Sequence, residues 1–372
     1  MHLLLTGGGT AGHVNPAIAI AEIFKKKDPH TVITFVGTPN GMENRLVGKE
    51  GYPMHHVKVM GFSRSLSPKN VYAAYLAWQS PYKARKLLRE LKPDLVVGTG
   101  GYVSWPILKA ASLEGIPSAV HESNAIPGLT VKKLEKYVDK ILLNFEESGE
   151  HFSSRDKLVT VGNPLRRGFS QSKREAVRAS LGIADGEILI LSFGGSLGAS
   201  ALNRACLYLM THYVADHPEV RHIHATGERN YALCKKMLDE DEGYDAVRER
   251  TVLTPYIDNM PELMQAADII ISRAGAMTVS EIALAGRAAI LIPSPNVANN
   301  HQLKNAQVLA DANAAVLLEE TDNLGFLLAE KVDALVENDH FRKTIAHHVT
   351  HYARPDVNDM IYDELTALVN RK

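Results

Sequence analysis

Residues 6–13 read Thr6-Gly7-Gly8-Gly9-Thr10-Ala11-Gly12-His13. A short apolar run, His2-Leu3-Leu4-Leu5, precedes them. Behind them comes Asn15-Pro16-Ala17-Ile18-Ala19-Ile20-Ala21-Glu22-Ile23-Phe24, with helical periodicity and a proline in its first turn. Strand, glycine-rich turn and helix make the first unit of a nucleotide-binding α/β fold. The glycines let the backbone turn tightly and approach a ligand, and the helix start behind them favours negative charge. No G-x-G-x-x-G with an acidic residue at the right distance can be read from Gly7 or Gly8, so the loop is not a dinucleotide fingerprint. A histidine ends it instead.

Outward from this stretch the first half alternates. Apolar strand candidates at 2–5, 31–36, 55–59, 94–98, 118–121, 139–143 and 158–161 are mostly separated by helical patterns, among them 43–49, 104–113 and 129–137. This rhythm implies a mostly parallel sheet covered on both faces. It stops near Val161-Gly162-Asn163-Pro164. A polar helix over 173–181 follows. Then Ile188-Leu189-Ile190-Leu191-Ser192-Phe193 opens into a second glycine turn, Gly194-Gly195-Ser196-Leu197-Gly198, with a helix from Ser200. Strand candidates recur at 221–225, 251–254, 268–272, 288–292 and 314–318. The expectation is an α/β protein of two Rossmann-like parallel-sheet domains, 1–163 and 164–349, with ligands in an interdomain cleft at the carboxyl ends of the strands. The helical end, about 350–372, is expected to cap the second domain or to cross back to the first.

Composition narrows the function. The 372 residues carry a formal net charge of -1, which is no polyanion-binding signature. Cys206 and Cys234 lack metal-ligand spacing and read as buried reduced thiols of a reducing compartment. The chain enters a strand at once, so no signal peptide is expected, and no apolar run approaches the ~18 residues of a membrane span.

Several stretches are equipped for chemistry. Asp268 to Ser272 is a buried strand running into Arg273-Ala274-Gly275-Ala276-Met277-Thr278-Val279-Ser280-Glu281, where small residues leave room for a phosphate or sugar at a helix start. Glu281 has two readings: an acceptor for a ribose diol, or a capping-box partner for Thr278. Pro293 to Gln302 is a polar loop suited to sugar hydroxyls, or an exposed loop with an N-cap. Gly194 to Gly198 reads as an anion cradle or a tight turn, and no lysine follows it as in a P-loop. His13 reads as a general base, or as a helix-start histidine bonding a carbonyl. His121-Glu122-Ser123-Asn124 and Gly100-Gly101-Tyr102 end two other strands, so these clusters are expected at one rim of the first sheet.

Segment 64–92 differs from the rest. It carries seven cations against Glu90, while Val71, Tyr75, Trp78 and Tyr82 fall on one helical face. Rings beside cations suit an anionic membrane surface; the alternative is a core-facing helix with a solvated basic side. Nucleic acid is not expected, because no second basic strip extends this one.

Taken in order, Gly8 to His13 with Pro16, Gly100-Gly101-Tyr102-Val103, His121 to Asn124, Gly162-Asn163-Pro164-Leu165-Arg166, Gly194 to Ala199, Ala276 to Glu281, and His301-Gln302 before Asn305-Ala306 resemble the MurG family of GT-B-fold glycosyltransferases over nearly the whole chain. The resemblance implies transfer of N-acetylglucosamine from UDP-GlcNAc to the muramyl O4 of lipid I, with inversion, by a peripheral protein at the cytoplasmic face of the bacterial plasma membrane. It implies donor contacts at Thr10, Ala11, Gly12, Asn124, Arg166, Ser196, Ile257 (through its backbone, to uracil), Ala276, Met277, Thr278, Val279, Ser280, Glu281 and Gln302. Two departures stand out. The family often has glycine at Ala11, where a methyl requires φ < 0, and some members have glutamine at His301.

The mechanism expected is one displacement, with His13 as base and the amides of 195–198 and 275–277, with Arg166, on the leaving diphosphate. No Asp-x-Asp sits at a strand end, so no obligatory metal and no cofactor are expected. Other acceptors, a nucleotide-sugar-binding module without transfer, and, more weakly, an NAD oxidoreductase are the competing readings.

Overall fold

The computed structural model describes residues 1–61, 68–164, 174–195 and 198–370. Two compact units divide the chain: Met1–Leu165 with Arg354–Lys372, and Arg166–Ala353.

The first unit is built on β1 (His2–Thr6), β2 (Val32–Gly37), β3 (Met54–His56), β4 (Leu95–Gly98), β5 (Ser118–Glu122), β6 (Lys140–Leu143) and β7 (Leu158–Thr160). They form one parallel sheet in the order β3-β2-β1-β4-β5-β6-β7. Its helices are α1 (Ala11–Lys27), α2 (Glu43–Lys49), α3 (Pro68–Leu91), α4 (Ser104–Leu113) and α5 (Leu129–Leu134). The period-two geometry of β1 explains why it is apolar throughout. Leu3 and Leu5 share a core with Ile20 and Phe24 of α1. Leu4 joins Leu88 of α3 and Ile107 and Leu108 of α4. The strand order turns back at β1 and β4, so the carboxyl ends of these two strands border the crevice where open sheets take ligands.

The second unit opens with α6 (Arg174–Ser180) and a six-stranded parallel sheet, β10-β9-β8-β11-β12-β13. Its strands are β8 (Ile188–Phe193), β9 (Val220–Ala225), β10 (Thr251–Thr254), β11 (Ile269–Ser272), β12 (Ala288–Leu291) and β13 (Val316–Leu317). After β8 comes α7 (Ser200–Tyr208), which runs through a π turn into the single-turn α8 (Val214–Asp216). The remaining helices are α9 (Glu228–Asp239), α10 (Met260–Ala266), α11 (Ala276–Ala285), α12 (His301–Asp311), α13 (Leu324–Glu337) and α14 (Asp339–Val349). Ile188 and Ile190 pack with Leu202 and Met210, and with Leu328 and Val332 of α13.

The last helix, α15 (Val357–Val369), belongs to the first unit. Val357, Ile361, Leu365 and Leu368 form one stripe in the core that holds Leu3 and Phe24. The Phe24 and Tyr362 rings lie 4.9 Å apart.

β3 and β13 are shorter than the runs 55–59 and 314–318 suggest. Both are edge strands, paired on one side only. β3 follows β2 no further than Gly37, and β13 meets only Ile290 and Leu291. Among the described residues no helix is long and apolar enough to cross a membrane.

Candidate active site

In the second unit two helix starts meet one cavity of about 610 Å³. Gly194 and Gly195 turn the chain out of β8, and Ser200, Ala201 and Arg204 present the first turn of α7. Gly275 and Thr278 present the start of α11. The N-cap residues are Ala199 and Gly275, and neither makes a side-chain cap. First turns of two helices therefore border this cavity, which is an anion site by geometry and by dipole. The amide of Gly198 is not available to it, because it donates to the Gly195 carbonyl at 2.9 Å. The amides expected at 195–198 are thus shifted in part to the start of α7.

The stretch 276–281 divides by helical position. Thr278 lies inside α11, three residues past the Gly275 N-cap, so the capping-box reading of Thr278 and Glu281 is overturned. Ala276, buried, and Met277, half-buried, occupy the first turn. Val279 turns into the core at 1 % exposure, and its amide donates to the Gly275 carbonyl, so it offers neither side chain nor amide to a ligand. Ser280 bonds back to the Ala276 carbonyl at 3.2 Å. Glu281 is half-buried.

The loop before α12 turns through Asn299 and Asn300, both with positive φ, a conformation that asparagine tolerates. It brings Gln302 to the cavity. The Gln302 Oε1 accepts the Ser294 amide at 2.8 Å, which fixes the carboxamide and leaves Nε2 as the donor for a sugar hydroxyl. Arg273 braces this wall, donating to the Ile292 and Pro293 carbonyls and pairing with Glu320 at 2.6 Å. Asn305 is fully buried and ties α12 to the Ala274 carbonyl. Ile257 follows β10 with its side chain buried, so only its backbone is available to a base.

In the first unit the glycine loop is held from below by a carboxylate. Glu43 is fully buried. Its Oε1 accepts the Thr38 amide at 2.9 Å and the Thr38 hydroxyl at 2.7 Å, and its Oε2 accepts the Gly9 amide at 3.3 Å. Burial alone would raise this carboxyl, but the hydrogen bonds from Thr38 and Gly9 hold it below its usual value. A Cβ at Gly8, Gly37 or Gly41 would meet this side chain at 2.9, 2.6 or 2.0 Å. These glycines make room for a carboxylate as well as for a ligand.

His13 is the third residue of α1. Its Nδ1 lies 3.2 Å from the Gly8 carbonyl and 3.1 Å from the Thr10 hydroxyl. A carbonyl only accepts, so that contact puts the proton on Nδ1 and makes Nε2 the basic nitrogen. The ring lies over Gly100, where a Cβ would come within 2.7 Å of it, and the Thr99 hydroxyl donates to the His13 carbonyl. Thr10 is the exposed N-cap, and Gly12 is exposed beside it. Ala11 opens α1 and is not among the positive-φ residues, so its methyl is accommodated. A Cβ at Gly101 would strike the Gly8 carbonyl at 2.1 Å, which joins these two loops at one rim.

The third cluster joins them only in part. His121 is fully buried on the Gly162 carbonyl at 2.8 Å, and burial lowers its pKa to about 4. Glu122, raised by burial, accepts the amides of Asn124 and Gly128 and the Asn124 carboxamide nitrogen. Asn124 is thereby held at the end of β5.

Behind the second-unit cradle, Ser192 lies 2.6 Å from His222 Nε2 and 2.7 Å from His224 Nδ1. Cys206 completes a group whose ligand-type atoms lie within 4.8 Å of one another. The serine hydroxyl already bridges the two rings. Burial keeps both imidazoles neutral, with His224 near 4, and pushes the Cys206 thiol up to about 12. A buried hydrogen-bond network describes the group better than a metal site. Both cysteines are buried and free.

On α3 the aromatic face points outward. Val71, Tyr75, Trp78 and Tyr82 are all at least half exposed, while Ala73, Leu76, Ala84 and Leu88 pack inward. The core-facing alternative is overturned. Three of the cations are already paired: Arg85 and Arg89 both bind Glu114, at 2.5 and 2.7 Å, and Lys86 pairs with Glu90 at 4.0 Å. Residues 64–67 lie outside the described residues, as do Arg166 and Ser196.

Two family models match the chain: the glycosyltransferase family 28 N-terminal domain over residues 3–143, and its C-terminal domain over 189–360. A UDP-N-acetylglucosamine--N-acetylmuramyl-(pentapeptide) pyrophosphoryl-undecaprenol N-acetylglucosamine transferase of Ruminiclostridium cellulolyticum is 39% identical over 99% of this chain and 100% of its own. The enzyme of the same name from Bacillus subtilis is 37% identical over 99% of each. The chain belongs to glycosyltransferase family 28, in its MurG branch. A crystal structure of MurG from Acinetobacter baumannii matches with a TM-score of 0.78 and 28% identity, over 98% of this chain and 99% of that one. Both sheets and both glycine turns are thus those of a GT-B glycosyltransferase.

The residues missed by reading motifs in this MurG-branch chain are Glu43, Arg273 and Glu320. Each acts on a loop distant in sequence, and only the buried glycine neighbours of Glu43 left a trace, as an excess of glycine around it.

Proposed function

We propose that this MurG-branch glycosyltransferase moves N-acetylglucosamine from UDP-GlcNAc to the O4 hydroxyl of the muramyl residue of lipid I, making lipid II, with inversion at the anomeric carbon. The observation that carries the reading is the second-unit cavity where the uncapped starts of α7 and α11 meet beside Gln302. It has the anion-binding and hydroxyl-binding groups that a diphosphate-linked sugar needs, and the full-length relatives bear the name of this reaction.

The roles divide by chemistry. The Ile257 backbone takes uracil, and Glu281 accepts from the ribose diol. First-turn amides at Ser200, Ala201, Ala276, Met277 and Thr278 stabilise the charge that grows on the departing UDP, joined by Arg166 and Ser196. Gln302 Nε2 donates to the sugar, and Thr10, Ala11, Gly12 and Asn124 contact it from the first unit. His13 Nε2 takes the proton of the acceptor hydroxyl as the new bond forms. The exposed rings of α3, with Lys83 and Lys86 beside them, dock the protein on the anionic cytoplasmic face of the membrane, where its acceptor resides.

The test is UDP release by the purified protein with UDP-GlcNAc and a water-soluble lipid I analogue. Release that requires the muramyl acceptor supports the reading. Release with other acceptors alone, or tight UDP-GlcNAc binding without transfer, replaces it with one of its competitors.

A further inference from the structure

A second cavity lies wholly within the first unit. It encloses about 470 Å³ between α3, α4 and the start of α5. Its walls are aromatic and aliphatic: Trp78, Tyr102, Trp105 and Leu129, with Lys109 and Lys133 as the cations. Trp78 and Leu129 are 67 % and 63 % exposed, and among the described residues nothing covers them. Large apolar side chains left open around a concave space mark a binding surface, whereas scattered ones do not. The cations are part of that surface. Lys109 Nζ sits 5.2 Å over the Trp105 ring and 5.5 Å over Tyr137.

We propose that this groove holds the first isoprene units of the lipid acceptor, with Lys109 and Lys133 meeting the anionic head. The inference rests on the lipid-linked acceptor of the proposed function and adds a site for its chain. Three observations select this occupant. The space is concave, so it encloses a chain, whereas a bilayer would only lie across its mouth. An apolar trough with two ammonium groups complements an amphiphile with a hydrocarbon tail and a phosphate head. Finally, Tyr102 lines the groove and also lies against the glycine loop, where a Cβ on Gly9 would come within 3.1 Å of its ring. A lipid seated here has its head group delivered to the loop that carries His13. A membrane phospholipid has no need of that connection.

The chain has two tryptophans, and both line this groove, so tryptophan emission, excited selectively over tyrosine, reports on it. The experiment titrates the full-length protein with farnesyl diphosphate below its micelle concentration, and in parallel with inorganic pyrophosphate and dodecyl phosphate. Farnesyl diphosphate is expected to give a saturable blue shift. Pyrophosphate should give none, and dodecyl phosphate should bind about tenfold more weakly or worse. Leu129→Asp, at an exposed rim position that cannot unfold the core, should weaken farnesyl diphosphate about tenfold or more, with its unfolding midpoint unchanged. Lys133→Glu should weaken it in the same direction. An absent shift, equal binding of dodecyl phosphate, or wild-type binding by Leu129→Asp overturns the proposal. The readout needs no turnover. A fluorescence response without sugar transfer would count against the proposed function and leave the groove standing, and transfer without a response would do the reverse.

Discussion

Replacing Glu43 separates the scaffold of the glycine loop from its chemistry. In Glu43→Ala the Thr38 and Gly9 amides lose their acceptor. The Thr38 hydroxyl loses it too; each of the two buried Thr38 donors left unpaired costs about 1–3 kcal/mol, so with the lost packing the first unit should lose about 3–6 kcal/mol. Glu43→Gln is the sharper change. Its carbonyl oxygen can replace Oε1 and keep both Thr38 bonds, while its NH₂ replaces Oε2 and confronts the Gly9 amide, donor against donor. Gly9 is exposed, so water replaces part of the loss and the stability cost is about 1 kcal/mol, or about 2–4 °C in Tm. The larger effect falls on the geometry of His13, four residues on, which touches the same loop through the Gly8 carbonyl. A misplaced base should lower kcat about tenfold, with the KM for UDP-GlcNAc unchanged. The carboxyl is held below its usual value, so its contribution is present above the ordinary carboxylate range and is lost as pH falls through the lowered value. The assay pairs thermal unfolding with steady-state UDP release for both variants. Glu43→Gln with wild-type kcat would refute the idea that the carboxylate positions the loop.

His13→Ala should reduce turnover by about 10²-fold or more, and near-normal turnover removes His13 as the base. Glu281→Ala should mainly raise the KM for UDP-GlcNAc; an unchanged value would separate Glu281 from the ribose. The buried neutral histidines give a pH signature. His121 and His224 titrate near 4 in the fold against 6.5 when exposed, so the unfolded chain binds the extra protons and stability falls as pH drops from 6.5 towards 4. Each contributes up to about 3 kcal/mol across that window. Glu122, raised by burial, acts in the opposite sense. His121→Gln should therefore flatten the Tm–pH slope whatever its stability at pH 7, and an unaltered slope contradicts this. Vesicles of anionic lipid should bind the protein less at high salt, and Trp78→Ala with Lys83→Glu should weaken binding further. Full binding by that pair would place the docking surface elsewhere.

The βαβ rhythm and both glycine turns were legible because parallel strands buried on two faces are continuous apolar runs. β1 and β8 therefore stand out of the chain with nearly their true ends. The runs 55–59 and 314–318 reached past β3 and β13 because the limits of these edge strands are set by pairing with one neighbour, which no local pattern records. At the site, the glycine turns and the small-residue start of α11 could be read from residue type. The roles of Glu43, Arg273 and Glu320 could not, because a buried carboxylate under a loop or a guanidinium on two carbonyls looks like any charged residue until the fold closes around it. The capping-box pattern at Thr278 and Glu281 misled for a related reason. The helix starts at Gly275, whose lack of a side chain carries no capping signal. On α3 the periodicity gave the stripe but not its direction; that depended on Ala73, Ala84 and Leu88 being the face that packs.

The anomeric configuration of the product decides whether transfer to a muramyl acceptor proceeds with inversion. The protein is incubated with UDP-GlcNAc and a soluble lipid I analogue, and the isolated product is read by proton NMR. A β-linked N-acetylglucosamine on the muramyl O4, formed in step with released UDP, is expected for inverting transfer. An α-linked product, or consumption of UDP-GlcNAc with no new glycosidic bond, would contradict it.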